Sequence, residues 1–134
     1  MKHKILVADD DENIRITLQR VFSDCDSLSA ADGKIALELI SAEKPCLVFL
    51  DITMPGLSGL EVLEAVKELD DKPAIFMLTG DGELETAVKA LDKGARTYIT
   101  KPFDVREIRK IAQIVFDEKE SGCKTRDLPW KLKE

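Results

Sequence analysis

The sequence predicts an α/β domain, a parallel five-stranded sheet with amphipathic helices on both faces. Two observations carry this. Short, almost continuously apolar runs recur at Lys4–Ala8, Cys46–Leu50, Pro73–Thr79 and Thr97–Thr100. Such runs suit strands covered on both faces, where an alternating pattern would mark a half-exposed one. Each run is followed by a stretch whose apolar residues return at helical spacing. Strands that alternate with helices connect in parallel by right-handed crossovers.

Strand one is Lys4–Ala8, apolar and rich in β-branched residues. Asp11, Glu12 and Asn13 can open a helix, because acidic groups suit its first turn. Ile14, Leu18, Val21 and Phe22 continue it. Asp24 to Ala30 is polar and anchored by Leu28, which fits a short edge strand. Ala31-Asp32-Gly33 punctuates the chain. Ile35, Ala36, Leu39 and Ile40 mark a second helix that ends before Pro45. Strand three, Cys46–Leu50, runs into Asp51 and then a loop, Ile52 to Gly59. Leu60, Leu63, Val66 and Leu69 give a third helix that stops near Asp70-Asp71. Strand four is Pro73–Thr79. Asp81 or Gly82 opens a fourth helix with Leu84, Ala87, Val88 and Leu91 as its apolar positions, and Gly94 sits as its C-cap. Strand five is Thr97–Thr100. Asp104 can cap a last helix whose buried face is Val105, Ile108, Ile111, Ala112 and Val115. The body is expected to end near Phe116 to Glu118, giving one domain over residues 1–118. Residues 119–134 read as a charged tail or linker in which Pro129-Trp130 is the one candidate anchor, with plain linker sequence as the alternative for Trp130.

The chain has 134 residues, 44% of them hydrophobic, enough for a single core. Its formal charge of −6 argues against nucleic-acid binding by this domain. No apolar run approaches the ~18 residues of a membrane span. The apolar start of the chain is too short, and too acidic afterwards, for a signal peptide. Cys25, Cys46 and Cys123 are odd in number and lack C-x-x-C spacing, which fits a reducing cytoplasm.

In a parallel sheet all strand C-termini share one edge, where open α/β sheets place their sites. That edge collects Asp9 and Asp10 after strand one, Asp51 after strand three, Thr79 at the end of strand four and Lys101 after strand five. Carboxylates brought so close repel and raise one another's pKa. Lys101 and a hard divalent cation are the available counter-charges. Ligation by oxygen alone favours Mg²⁺ or Mn²⁺ over zinc. His3, the one histidine, lies at the opposite end, which excludes a histidine relay or a histidine zinc site. A carboxylate beside a divalent cation and an ammonium is set up to attack phosphorus, and aspartyl phosphates are an established form of covalent catalysis. The Thr79 hydroxyl can donate to a phosphoryl oxygen. Taken singly, each group has a plainer reading: Asp9 as a helix cap, Thr79 as a turn hydroxyl, Lys101 as a surface lysine, and all together as an ion-pair network.

Four stretches then carry a resemblance. They are Ile5-Leu6-Val7-Ala8-Asp9-Asp10-Asp11, Leu50-Asp51-Ile52-Thr53-Met54-Pro55-Gly56-Leu57-Ser58-Gly59, Met77-Leu78-Thr79-Gly80, and Gly94 to Phe103. In this order and spacing the chain resembles the receiver domain of two-component response regulators over roughly residues 3–118. The resemblance implies a flavodoxin-like, doubly wound sheet of order 2-1-3-4-5. It implies that Asp51 accepts the phosphoryl group, and that Asp10, Asp51 and the carbonyl of Thr53 bind Mg²⁺, with Asp9 acting through bound water. Lys101 would pair with the phosphoryl group, and Thr79 and Tyr98 would form the switch. Plain core packing stays open for Tyr98. The implied donor is a sensor histidine kinase or a histidine phosphotransfer protein. The output would pass through the face of helix four, strand five and helix five to a downstream protein or a C-terminal output domain.

Some positions depart from the family's common pattern. Gly80 stands where alanine is frequent. Asp81 and Thr53 flank the expected path of the hydrolytic water. Arg96-Thr97 and Ile111 replace residues of one salt-bridged dimer, though other homodimers stay open. Two rival functions remain. A phosphorylation-independent binding module would ordinarily lack Asp10, Asp51 or Lys101, and none is missing. A metal-dependent phosphohydrolase with an aspartate nucleophile would need a second acid where Thr53 stands. Lys101–Pro102 is expected to be cis, which would aim the lysine inward.

Overall fold

The computed structural model describes residues 3–70, 72–80 and 82–121. Strands and helices alternate strictly along them: β1 Lys4–Ala8, α1 Glu12–Val21, β2 Asp26–Ala30, α2 Gly33–Glu43, β3 Leu47–Asp51, α3 Gly59–Val66, β4 Ala74–Thr79, α4 Leu84–Asp92, β5 Thr97–Thr100 and α5 Val105–Ser121. The five strands form one parallel sheet of order β2-β1-β3-β4-β5. The doubly wound architecture is therefore as expected, and the strand order is the one the resemblance implies.

Side-chain alternation along the strands splits the core in two. Ile5, Val7, Phe49, Phe76, Leu78 and Ile99 face α1 and α5. Along this face Phe22, Phe49 and Phe76 follow one another with ring centroids 5.7 and 6.1 Å apart. Leu6, Ala8, Val48, Leu50, Ile75 and Met77 face α2, α3 and α4. β3 and β4 are buried at every residue, which is why their sequences are apolar without alternation. His3 stacks on Phe116 with centroids 4.0 Å apart, at the end of the sheet remote from the strand C-termini.

Local chemistry starts the helices. Asp11 accepts from the Asn13 amide, Asp32 from the Ile35 amide and Asp104 from the Arg106 amide. Ser58 and Glu61 form a capping box at α3. α4 runs to Asp92, and Gly94 follows in the left-handed region at φ 111°. The Ala95 amide there returns to the Ala90 carbonyl, closing the helix as a glycine-terminated end does. α3 begins directly against β3. A Cβ on Gly59 would lie 2.5 Å from the Asp51 carbonyl oxygen, so only glycine lets the helix start there.

Several expectations need correction. The edge strand begins at Asp26, because Asp24 turns outward to a two-pronged pair with Arg109, at 2.7 and 2.6 Å. The Arg109 guanidinium holds the Asp24 carboxyl down to about 2. Strand three starts at Leu47 rather than Cys46 and includes Asp51 as its last residue. The buried residues of α4 are Ala87 and Ala90, whereas Leu84 and Val88 are 56% and 49% exposed. Small side chains bring this helix close to the sheet and leave the larger ones outside. Ile35 and Val105 are likewise exposed, each in the first turn of its helix. α5 continues to Ser121, past the expected end near Phe116 to Glu118. The expectations for Asp71, Asp81, Cys123 and the Pro129-Trp130 anchor lie outside the described residues. No described helix is long and apolar enough to cross a membrane.

Candidate functional site

The strand ends deliver the site. Asp51 closes β3, pairs in register with Leu78 of β4 and is 4% exposed. Its Oδ1 accepts the Thr53 amide at 3.2 Å, so the loop folds back over the carboxylate that starts it. Asp9 follows β1 and is fully buried, its amide bonded to the Ala30 carbonyl at 3.1 Å. Its Oδ1 accepts the Asp11 amide at 2.9 Å. Asp10 beside it is exposed. Thr79 ends β4 at 1% exposure. Lys101 follows β5; its amide donates to the Thr79 carbonyl at 2.7 Å, and its peptide to Pro102 is cis, as expected.

Lys101 Nζ lies 2.9 Å from Asp9 Oδ2 and 3.5 Å from Asp51 Oδ2. Burial pulls the Lys101 pKa down, but the two carboxylates outweigh it and the ammonium is held more firmly than usual. One ammonium does not balance this cluster. Burial, reinforced by the Asp9 charge, pushes Asp51 up to about 7 against the pull of Lys101 and the Thr53 amide. Asp9 Oδ2 sits at ion-pair distance from Nζ but outside hydrogen-bond geometry, so a buried oxygen keeps an unused lone pair.

Three carboxylates against one ammonium leave acceptor capacity that a cation can use. Asp9, Asp10 and Asp51 each offer a carboxylate oxygen, and these atoms lie within 4.8 Å of one another. An all-oxygen donor set with surplus negative charge fits a hard divalent cation.

The chain matches the family model of the response regulator receiver domain over residues 5–113. It belongs to the response regulator receiver family. Sporulation initiation phosphotransferase F of Bacillus subtilis (strain 168) is 40% identical over 111 residues, covering 81% of this chain and 90% of the relative. Regulatory protein AtoC of Escherichia coli (strain K12) is 34% identical over 113 residues, covering 83% of this chain but only 24% of the relative. Among solved structures, the receiver domain of NtrX from Brucella abortus superposes with a TM-score of 0.77 at 36% identity, covering 84% of this chain and 98% of that one. The Francisella response regulator 1452 receiver domain gives 0.79 at 29% identity, covering 87% and 98%. The receiver is a phosphoacceptor module, its Asp9/Asp10/Asp51 cluster positioned to chelate a divalent cation and accept a phosphoryl group. Its chemistry is its own phosphorylation and dephosphorylation rather than turnover of a separate substrate. Membership supports a partnership with a histidine kinase or phosphotransfer protein.

The receiver fold thus brings Asp9, Asp10, Asp51, Thr79 and Lys101 to one sheet edge. Tyr98 stands slightly apart. It is half-buried on β5, paired with Met77 and packed against the α2/α3/α4 core. Thr79 pairs with Thr100, so Thr79 and Tyr98 share a sheet face two register steps apart.

Two residues escaped the sequence reading. Arg15 Nη1 donates to the Asp9 carbonyl at 2.8 Å and ties α1 to the acidic loop. Glu83 precedes α4, where it accepts the Gly80 amide at 2.5 Å and, through its other oxygen, the Thr53 hydroxyl. Burial pushes the Glu83 carboxyl up, but those two donors and the Lys101 charge outweigh it and leave it below the usual range. No local pattern announces it: Glu83 stands at the N-cap of α4, but its side chain makes no capping bond to the helix.

Proposed function

We propose that Asp51 is the phosphoacceptor of a two-component phosphorelay in the cytoplasm, served by a sensor histidine kinase or a histidine phosphotransfer protein. The observation that carries this reading is a carboxylate at 4% exposure with an ammonium at 3.5 Å and two further carboxylates beside it. An Asp51 oxygen attacks phosphorus of the donor phosphohistidine. The new O–P bond forms as the P–N bond breaks, and the imidazole nitrogen keeps the electron pair. Lys101 compensates charge on the phosphoryl oxygens and orients them. The Thr79 hydroxyl donates to one of them from the end of β4. A Mg²⁺ ion held by Asp10, Asp51 and the Thr53 carbonyl, with Asp9 behind it, supplies further charge neutralisation when bound; Mn²⁺ fits the same donors.

Phosphorylation adds about −1.5 to −2 charges and three acceptor oxygens. Movement of Thr79 toward them frees space on the sheet face it shares with Tyr98. The change is then read on α4, β5 and α5. We assign the receiver unit to the chain through the end of α5 at Ser121 and the charged tail to the residues after it, in place of the expected boundary at residue 118. The test is incubation with acetyl phosphate and Mg²⁺, read by intact mass. An adduct of one phosphoryl group is expected that disappears in Asp51→Ala and without the metal. No adduct, or one that survives Asp51→Ala, would refute the reading.

A further inference from the structure

We propose that Glu83 is a positioning residue that acts as an anionic latch on the phosphoryl pocket, occupying the Gly80 amide and the Thr53 hydroxyl until the incoming phosphoryl group displaces it. This inference rests on Asp51 being the phosphoacceptor.

Three observations carry it. First, the Glu83 carboxylate bridges the two loops that border Asp51. One oxygen takes the Gly80 amide, just beyond Thr79 on β4, and the other takes the Thr53 hydroxyl, two residues past Asp51 on β3. The side chain makes no capping bond to α4, so both contacts serve the two loops. Second, the carboxylate lies close enough to feel the Lys101 charge. It is thus a resident anion at the rim of a pocket that must take up another. Third, Gly80 leaves the carboxylate room. A Cβ there would stand 3.2 Å from Glu83 Oε1, tighter than an ordinary contact. Gly82, at φ 79°, turns the chain so that the Glu83 amide also reaches the Gly80 carbonyl at 3.3 Å.

A phosphoryl group on Asp51 brings three acceptor oxygens and nearly two negative charges. Donors at the pocket rim are then wanted by the phosphoryl group, and a carboxylate beside it is repelled. Glu83 therefore has to release Gly80 and Thr53 as the group arrives, which slows phosphorylation and favours its loss.

The probe is beryllofluoride at saturating Mg²⁺, with binding followed by the amide resonances of the full chain. Glu83→Gln keeps the shape and an oxygen for the Gly80 amide while removing the charge. It is expected to raise beryllofluoride affinity by about fivefold or more. Glu83→Ala should raise it at least as much, although it also unties the Gly80 and Thr53 loops. Glu85→Gln removes an equal charge from the first turn of α4 and should leave affinity unchanged. In metal-free protein, Glu83→Gln should shift the Gly80 amide resonance, a readout independent of the probe. Unchanged or weaker affinity in both Glu83 variants, or an equal gain in Glu85→Gln, would overturn the latch. Failure of the wild type to bind would instead overturn the phosphoacceptor reading.

Discussion

Neutralising Asp51 should stabilise the metal-free domain, and the gain should depend on pH in a defined direction. The Asp51 pKa rises from the usual 3.8 to about 7, chiefly because the carboxylate is buried and faces Asp9. The folded state therefore holds this proton more tightly than the unfolded chain does. Below about pH 4 the group is protonated in both states and its charge costs nothing. Between about pH 4 and 7 the cost grows by ~1.4 kcal/mol per pH unit, and above that it levels off near ~4 kcal/mol. Asparagine keeps the oxygen that accepts the Thr53 amide, at 3.2 Å in the wild type, so little is lost in exchange. Asp51→Asn should thus gain ~2–4 kcal/mol at about pH 8 and only ~1–2 kcal/mol at about pH 5. Urea denaturation followed by far-UV circular dichroism, with EDTA present, measures both. Adding Mg²⁺ should narrow the difference at the higher pH, because a ligand that binds only the folded wild type stabilises it. A variant no more stable than wild type at about pH 8, or a gain that does not shrink on acidification, would refute the charge-frustration account of this site.

Two further outcomes test the frame around the site. Gly59→Ala should destabilise the fold by about 1–3 kcal/mol, because its Cβ would meet the Asp51 carbonyl oxygen at 2.5 Å and the Ile52 Cα at 2.9 Å; a variant with wild-type denaturation would show that α3 can slide away freely. Arg96→Ala should cost about 1–3 kcal/mol, because Nη1 reaches both oxygens of Glu118, which is only 8% exposed, at 3.1 and 2.9 Å. A loss under about 0.5 kcal/mol would mean that solvent screens the pair.

Read alone, the chain already determined the architecture and most of the site. Burial on both faces forces strands such as Val48–Leu50 to be continuously apolar, and helices return to the core at their own period, so the alternation is written into composition. Parallel strands share one C-terminal edge, which places Asp9, Asp10, Asp51, Thr79 and Lys101 together before any coordinate is known. Tertiary packing decided the rest. The apolar residues of α4 were visible, but which of them turned inward depended on how closely the helix approached the sheet, and the alanines won over Leu84 and Val88. Asp24 left the edge strand because Arg109, far along the chain, offered a two-pronged partner. The pairing of Lys101 with Asp9 more closely than with Asp51 is a matter of ångströms that no spacing encodes. Glu83 is the clearest case. Its contact with Gly80 is local, but its contact with Thr53 joins two loops thirty residues apart. Periodicity reports which face of an element is buried; it carries no information on which side chain of another loop fills the space opposite.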